Sequence, residues 1–214
     1  MNKLNFNDFP FNKGFSSDER NFILTTLQTA SALNVNDKKF IEIGTFQGNT
    51  AKVIVTVLNK LKCNSKFFSI DLNQPYWNKI KKQEIGWRPK HYWQKNCGII
   101  NNGTCVPNFI QGKSQEKSYL FDSVCWCFID GCHCYECVIG DLNAYAPKIV
   151  KGGLILLHDT RDVKSGRSQW YHDKTKLRKF GVNKAIKDCS FLLQNFEKIL
   201  ETQLRYGMQV WKRK

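Results

Sequence analysis

The stretch KFIEIGTFQG, residues 39–48, decides the fold of this chain. Its apolar run stops at Gly44, and apolar residues then recur every three or four positions from Val53 to Leu61. This pattern predicts a strand, a glycine turn and a helix. Glycines in such a turn let a ligand approach the backbone closely and reach the free N–H groups of the helix. The stretch therefore predicts a site for a small polar ligand at the end of the strand.

The rest of the chain repeats this alternation of strand and helix. A capping box from Ser16 to Glu19 begins a first helix, and later helices are predicted over 138–149 and 182–193. Further short strands are predicted at 66–71, 108–111, 124–130, 153–157, 196–204 and 208–211. We therefore predict an α/β fold: a Rossmann-like, doubly wound, mostly parallel sheet of seven strands that ends in an antiparallel hairpin. Ligands of such sheets bind beyond the carboxyl ends of the strands.

Length and composition favour one domain over residues 1–214, because 42% hydrophobic residues suffice for a single core. Within it we expect an N-terminal extension and helix over 1–33 and two basic, aromatic insertions over 72–107 and 161–181. Both insertions follow strands, so they are placed to form the walls or the lid of a ligand pocket. The alternative is an ordinary solvated surface with aromatic residues packed beneath it. Their candidate stacking side chains are Trp77, Trp87, Trp93, Trp170 and Tyr171.

The net charge of +15 suits an anionic partner such as nucleic acid, a nucleotide-sugar or a phosphorylated glycan. A coding bias toward Asn, Lys and Ile explains the same charge equally well. The chain shows no apolar run long enough for a membrane span and no signal-like N-terminus, and its nine cysteines suit reduced thiols. We expect a soluble cytoplasmic protein, and the sequence leaves its oligomeric state open.

An acidic residue at the end of the second predicted strand points to a nucleoside. Asp71 is placed to accept hydrogen bonds from the two hydroxyls of a ribose. Phe46 stands where the dinucleotide fingerprint has its second glycine, which disfavours NAD. Gly44 and Gly48 alone are also explained by a tight turn that packs strand on helix. The glycine turn and the acid together predict a nucleoside ligand.

Glu42, Gly44, Gly48 and Asp71 stand in the order and spacing of the first two motifs of class I methyltransferases, and the chain resembles that family from about residue 17 onward. The resemblance implies that S-adenosylmethionine is the methyl donor and that the glycine turn holds its methionine part. It also implies that the segment after the third strand borders the adenine. The cofactor residues so assigned are Glu42, Gly44, Thr45, Gly48, Asp71, Gln111, Ser114 and Asp130.

The most specific pattern is FIDGCHCYE at 128–136, followed by DL at 141–142, GGLILLHDT at 152–160 and FGV at 180–182. It is similar to a methyltransferase subfamily that includes cephalosporin-hydroxylase-like proteins and sugar O-methyltransferases. Asp130 and Asp159 each end a buried strand, so both carboxylates project into the crevice and invite a cation. The resemblance implies that Asp130, His158 and Asp159 bind a divalent metal beside the acceptor hydroxyl.

The same resemblance implies that His133 is the proton acceptor, next to Asp130; a structural histidine that only bonds its loop is the alternative. The identity of the metal is left open between magnesium, manganese and others. Imidazole suits softer ions than magnesium, and Cys132 stands where the subfamily has aspartate. The five cysteines over 125–137 lack paired C-x-x-C knuckles, so we predict small buried residues rather than a zinc cluster. Cys132 is the exception, since a thiol beside Asp130 and His133 suits a soft metal or oxidation.

We therefore expect an S-adenosylmethionine-dependent methyltransferase that methylates a hydroxyl oxygen with metal assistance. The expected acceptor is a sugar, a nucleotide-sugar, a glycan or another small molecule, and the charge would suit an anionic one. An RNA methyltransferase is the alternative that the charge and the aromatic insertions suggest. A non-catalytic nucleoside-binding protein with the same fold is a third.

Overall fold

The computed structural model of the chain describes residues 15–72, 103–161 and 178–214, together with residues 9, 11, 76–78, 83–85, 93 and 168–169. Within these residues, every helix is too short or too polar to cross a bilayer. The predicted division into an N-terminal segment, one domain and two insertions stays a prediction.

The first helix, α1 (Ser17–Ser31), begins at the predicted capping box. The Glu19 N–H donates to Ser16 Oγ at 3.3 Å, and the Ser16 N–H donates to Glu19 Oε2 at 2.5 Å. This reciprocal pair satisfies two backbone donors that the helix would leave unpaired. Ile23, Leu27 and Ala30 are completely buried one turn apart, so one face of α1 lies on the core.

Eleven strands follow one another along the described chain: β1 (Lys38–Ile43), β2 (Ser65–Asp71), β3 (Tyr76–Asn78), β4 (Gln83–Ile85), β5 (Cys105–Gln111), β6 (Val124–Ile129), β7 (Ile149–His158), β8 (Ser168–Gln169), β9 (Arg178–Lys179), β10 (Phe196–Thr202) and β11 (Met208–Arg213). Seven form the main sheet, in the order β10-β11-β7-β6-β1-β2-β5. Strand β11 is antiparallel to both of its neighbours and the other pairs are parallel, which confirms the predicted fold class. The short pairs β3–β4 and β8–β9 are antiparallel ribbons.

The remaining helices are α2 (Asn49–Lys60), α3 (Ser114–Lys117), α4 (Tyr135–Tyr145), α5 (Val182–Asp188) and α6 (Ser190–Asn195). The helix predicted over 138–149 ends earlier, because Pro147 cannot donate a helical hydrogen bond and a 3-10 turn, Ala146–Lys148, leads directly into β7. The helix predicted over 182–193 is two helices, broken at Cys189, where ψ is 89°. Gly152, with φ of +76°, lies inside β7, where the register with β6 is irregular.

Alternate strand residues build two cores, one on each face of the sheet. Phe40 and Trp126 point to the face that α1 and α2 cover, whereas Ile41 and Cys127 point to the face under α4, α5 and α6. Both faces are therefore closed by helices, as the doubly wound prediction requires. In a doubly wound sheet, ligands bind at the carboxyl ends of the parallel strands.

Candidate active site

The glycine turn after β1 has the geometry that the sequence predicted. Gly44 has φ of +95°, and a Cβ atom there would lie 2.4 Å from the carbonyl oxygen of Asp130, at the end of the neighbouring strand β6. Gly48 has φ of +72° and forms the N-cap of α2. At Gly44, only glycine combines the left-handed φ with the absence of a side chain that this close contact requires. The turn and the end of β6 are thus in direct backbone contact.

Two acidic residues assigned to the cofactor brace this turn. Asp71 Oδ2 accepts the N–H groups of Thr45 at 2.8 Å and Phe46 at 3.0 Å. Glu42 is completely buried and accepts the Ser69 hydroxyl at 2.5 Å, and Ser69 Oγ lies 2.5 Å from Thr45 Oγ1. Burial raises the pKa of Glu42 well above its usual range. Both acids hold the turn in shape, and their predicted contacts with the cofactor stay predictions.

The two residues assigned to the adenine differ in environment. Gln111 is exposed at the end of β5, opposite Asp71 in the sheet. Ser114 is buried, and its hydroxyl donates to Asp141, which also accepts Gln115 Nε2 at 2.6 Å. Gln111 therefore lies at the predicted edge of the site, whereas the Ser114 hydroxyl anchors α3 to α4. Their adenine contacts stay predictions.

The carboxylates of Asp130 and Asp159 converge with two imidazoles at the carboxyl ends of β6 and β7. His158 Nδ1 lies 2.8 Å from Asp130 Oδ1 and 3.3 Å from Asp159 Oδ2. His133 Nε2 lies 3.1 Å from Asp159 Oδ2 and 3.4 Å from Asp130 Oδ1. Asp159 has φ of +57°, a strained conformation for a residue other than glycine, and such strain concentrates at functional sites. The structure thus brings together all four residues that the sequence assigned to chemistry.

Each histidine contacts a further residue that sequence reasoning did not assign to the site. Glu19, the capping residue of α1, is completely buried, and its Oε1 lies 3.4 Å from His158 Nε2. Phe180 stacks on His133, with the ring centroids 5.3 Å apart. The capping box predicted Glu19 as a helix residue, and nothing in the local pattern indicated its second contact.

Opposite charges set the protonation of this cluster. Burial disfavours the charged imidazoles, but the carboxylates outweigh it, so the pKa of His133 is raised and that of His158 is raised well above its usual range. Burial also raises the pKa of Asp130, yet the attraction of His158 and His133 brings it below its ordinary value. Asp130 is therefore ionised beside the two imidazoles.

The donor set fits a divalent metal. Asp130, His133 and Asp159 each offer a ligand atom, and these atoms all lie within 4.8 Å of one another. The predicted set had His158 in place of His133, and both imidazoles adjoin the same two carboxylates. Mixed oxygen and nitrogen ligands suit manganese, iron or zinc better than magnesium. Either imidazole is placed to complete the set.

One cleft joins the glycine turn to this cluster. It is lined by Phe15, Gly44, Thr45, Phe46, Gln47, Asn49, Thr50, Asp130, His158 and Tyr206. The Phe15 ring lies 5.2 Å and the Tyr206 ring 6.0 Å from the His158 ring, between centroids. Sequence reasoning missed both aromatics because one precedes α1 and the other lies in the turn between β10 and β11. Asp130 belongs to both halves of the cleft.

Most of the two basic, aromatic insertions lies outside the described residues, so their role as pocket walls stays a prediction. Of the five candidate stacking side chains, the structure describes one. Trp93 is 8% exposed and packs on Phe109, with ring centroids 5.9 Å apart. This tryptophan supports the core rather than offering a face to a ligand.

The cysteines follow the prediction of small buried residues only in part. Cys125 and Cys127 are buried in β6, as predicted. Cys132, Cys134 and Cys137 instead converge, with sulfur atoms within 4.8 Å of one another. The loop after Asp130 folds back onto the first turn of α4, which spacing alone did not reveal.

A Rossmann-like sheet with an acid-braced glycine turn and an acidic chemical centre at the carboxyl ends of its strands defines a class I methyltransferase. Residues 41–160, more than half of the chain, match the family described as a methyltransferase domain. The chain therefore belongs to this family, and it is an S-adenosylmethionine-dependent enzyme. No curated protein matched the chain.

Solved structures of O-methyltransferases share the fold at low sequence identity. The O-methyltransferase NovP superposes with a TM-score of 0.63 at 15% identity, over 90% of this chain and 78% of its own. The TDP-rhamnose 3'-O-methyltransferase CalS11 of calicheamicin biosynthesis gives 0.59 at 13%, over 92% and 80%. An O-methyltransferase from Bacillus cereus, solved with S-adenosylhomocysteine, gives 0.60 at 12%, over 94% and 82%. These likenesses establish the architecture.

Proposed function

We propose that this enzyme methylates a hydroxyl oxygen of a small acceptor, such as a sugar or nucleotide-sugar, with the help of a divalent metal. The observation that carries the proposal is the shared cleft, in which Asp130 connects the glycine turn to the carboxylate and imidazole cluster. NovP is an O-methyltransferase and CalS11 is a TDP-rhamnose 3'-O-methyltransferase. These two structural neighbours support oxygen as the methylated atom. The net charge of +15 favours an acceptor that carries phosphate.

The chain's own residues provide binding, orientation and a place for the proton. When bound, S-adenosylmethionine supplies an electrophilic methyl group and the metal supplies a Lewis acid. Asp130, Asp159 and His158 would hold the metal, and His133 would take the hydroxyl proton at Nε2. Glu19 keeps His158 in place, and Phe180 does the same for His133. Fixing these groups in advance lowers the entropic cost of reaching the transition state.

The first experiment is calorimetric titration of chelator-treated protein with S-adenosylhomocysteine, with and without Mn²⁺, followed by methyl transfer to a panel of sugars and nucleotide-sugars. Asp159→Asn should abolish metal-stimulated turnover and leave cofactor affinity nearly unchanged. The matched control is Asp188→Asn, an exposed acid on α5 that pairs with Lys184. Metal-stimulated turnover that survives in Asp159→Asn contradicts the proposed metal site.

His133→Ala separates the two roles open to that imidazole. If His133 is the proton acceptor, its loss should slow turnover by about a hundredfold or more and leave Mn²⁺ affinity unchanged. A parallel loss of Mn²⁺ affinity would assign His133 to the metal and leave His158 as its support. Wild-type turnover would show that the residue only stabilises the loop.

A further inference from the structure

The loop that carries His133 holds a second group of metal-binding side chains, which the methyl-transfer chemistry does not use. Cys132, Cys134 and Cys137 place their sulfur atoms within 4.8 Å of one another, and Cys132 Sγ lies 3.2 Å from Cys134 Sγ. A disulfide requires about 2.05 Å between sulfurs, so these are separate thiols. Three thiols gathered over six residues form a compact set of soft ligands.

The spacing of the sulfurs matches a tetrahedral thiolate site. Zinc binds cysteine sulfur at about 2.3 Å, which sets ligand sulfurs roughly 3.8 Å apart around one ion. Cys132 Sγ and Cys134 Sγ lie somewhat closer than this, at 3.2 Å, and no two of the three sulfurs are more than 4.8 Å apart. Cys132 and Cys137 are partly exposed, whereas Cys134 is buried, so an ion can enter from solvent and keep one open position.

The backbone around the thiols is fixed in advance. Cys134 is the N-cap of α4, and Cys137 follows in the first turn of that helix. Cys134 also pairs with Phe180, and the Gly181 N–H donates to the His133 carbonyl at 2.8 Å. A Cβ atom on Gly181 would lie 2.6 Å from Tyr135, so this contact is close. The ligands are therefore presented by a braced loop and a helix end.

We propose that Cys132, Cys134 and Cys137 bind a thiophilic cation, Zn²⁺, at a site separate from the carboxylate and imidazole cluster. The thiols lose their protons to solvent on binding, and water or a small anion completes the coordination. Because His133 lies between Cys132 and Cys134 in the chain, an ion there holds the loop of the proton acceptor in one conformation. The ion would act on the conformation of the loop and not on the acceptor, so the proposal does not depend on which acceptor is methylated.

Cobalt substitution tests this proposal, because Co²⁺ bound to thiolates absorbs by charge transfer in the near ultraviolet and Co²⁺ bound to carboxylate and imidazole does not. The reduced full-length chain should bind one Co²⁺ with that absorption, and Zn²⁺ should displace it. Asp159→Asn removes a ligand of the other cluster and should leave the absorption unchanged. Cys189→Ser, a buried cysteine outside the group, is the matched control.

Cys137→Ser should weaken Co²⁺ binding at this site by at least a hundredfold, and Cys132→Ser should do the same. If either variant fails to fold, alkylation of the wild-type chain replaces it: Zn²⁺ should protect Cys132 and Cys137 from iodoacetamide, as read by mass spectrometry. Absence of the charge-transfer absorption in the reduced wild type overturns the proposal. So does absorption that persists in Cys137→Ser, or alkylation that Zn²⁺ leaves unaffected.

Discussion

Replacing Gly44 with alanine tests the backbone contact on which the cofactor site rests. The left-handed φ of +95° strains any side chain, and the new Cβ would lie 2.4 Å from the Asp130 carbonyl oxygen. That oxygen has to recede by about 0.6 Å before the contact reaches even 3.0 Å. Strain and overpacking together should lower the free energy of unfolding by about 2 to 4 kcal/mol. The displaced turn should weaken S-adenosylhomocysteine binding by at least about tenfold.

Gly152→Ala is the matched control for this substitution. Gly152 also has a left-handed φ, +76°, but among the described residues its Cβ atom would meet just the flexible end of Leu33, at 3.3 Å. This variant should lose about 1 to 2 kcal/mol of stability and keep wild-type cofactor affinity. Urea denaturation and calorimetry at a temperature where both variants are folded give the two quantities. Equal cofactor affinity in Gly44→Ala and Gly152→Ala would refute the reasoning.

Two further predictions concern buried carboxyls. Burial raises the pKa of Asp141 to about 7, so the folded state holds a proton that the unfolded state releases near 3.8, and stability should fall as pH rises through about 7. Asp141→Asn should remove up to about 3 kcal/mol of the stability difference between pH 5 and pH 8, as measured by urea denaturation at both pH values; an unchanged difference contradicts the prediction. Glu19→Gln keeps an oxygen that can accept the Ser16 N–H but removes the negative charge beside His158. The pKa of His158, followed by NMR titration, should therefore fall. A constant pKa would count against the contact between Glu19 and His158.

Much of the fold follows from local patterns that the sequence displays. The reciprocal bonds between Ser16 and Glu19 need only four adjacent residues, and they formed as predicted. The meeting of Asp130 with Asp159 was also predictable, because the carboxyl ends of adjacent parallel strands share one edge of the sheet. In both cases, sequence spacing and strand order determine the geometry.

The parts that escaped prediction depend on packing between distant segments. Phe15 and Tyr206 reach His158 from opposite ends of the chain, and no periodicity relates them. The thiol group was missed for a different reason: its spacing lacks paired knuckles, yet the turn into α4 folds Cys132 back over Cys137. Long-range contacts of this kind leave no mark on local sequence.

The contact between Glu19 and His158 bears on how relatives of this enzyme are compared. The matched family region, residues 41–160, contains both aspartates and both histidines of the cluster. The groups that hold those histidines, Glu19 and Phe180, lie before and after it. Two enzymes can therefore share every motif of the region and still differ in the basicity and freedom of their histidines. The flanking segments are accordingly where acceptor preference and working pH can diverge while the shared reaction is retained.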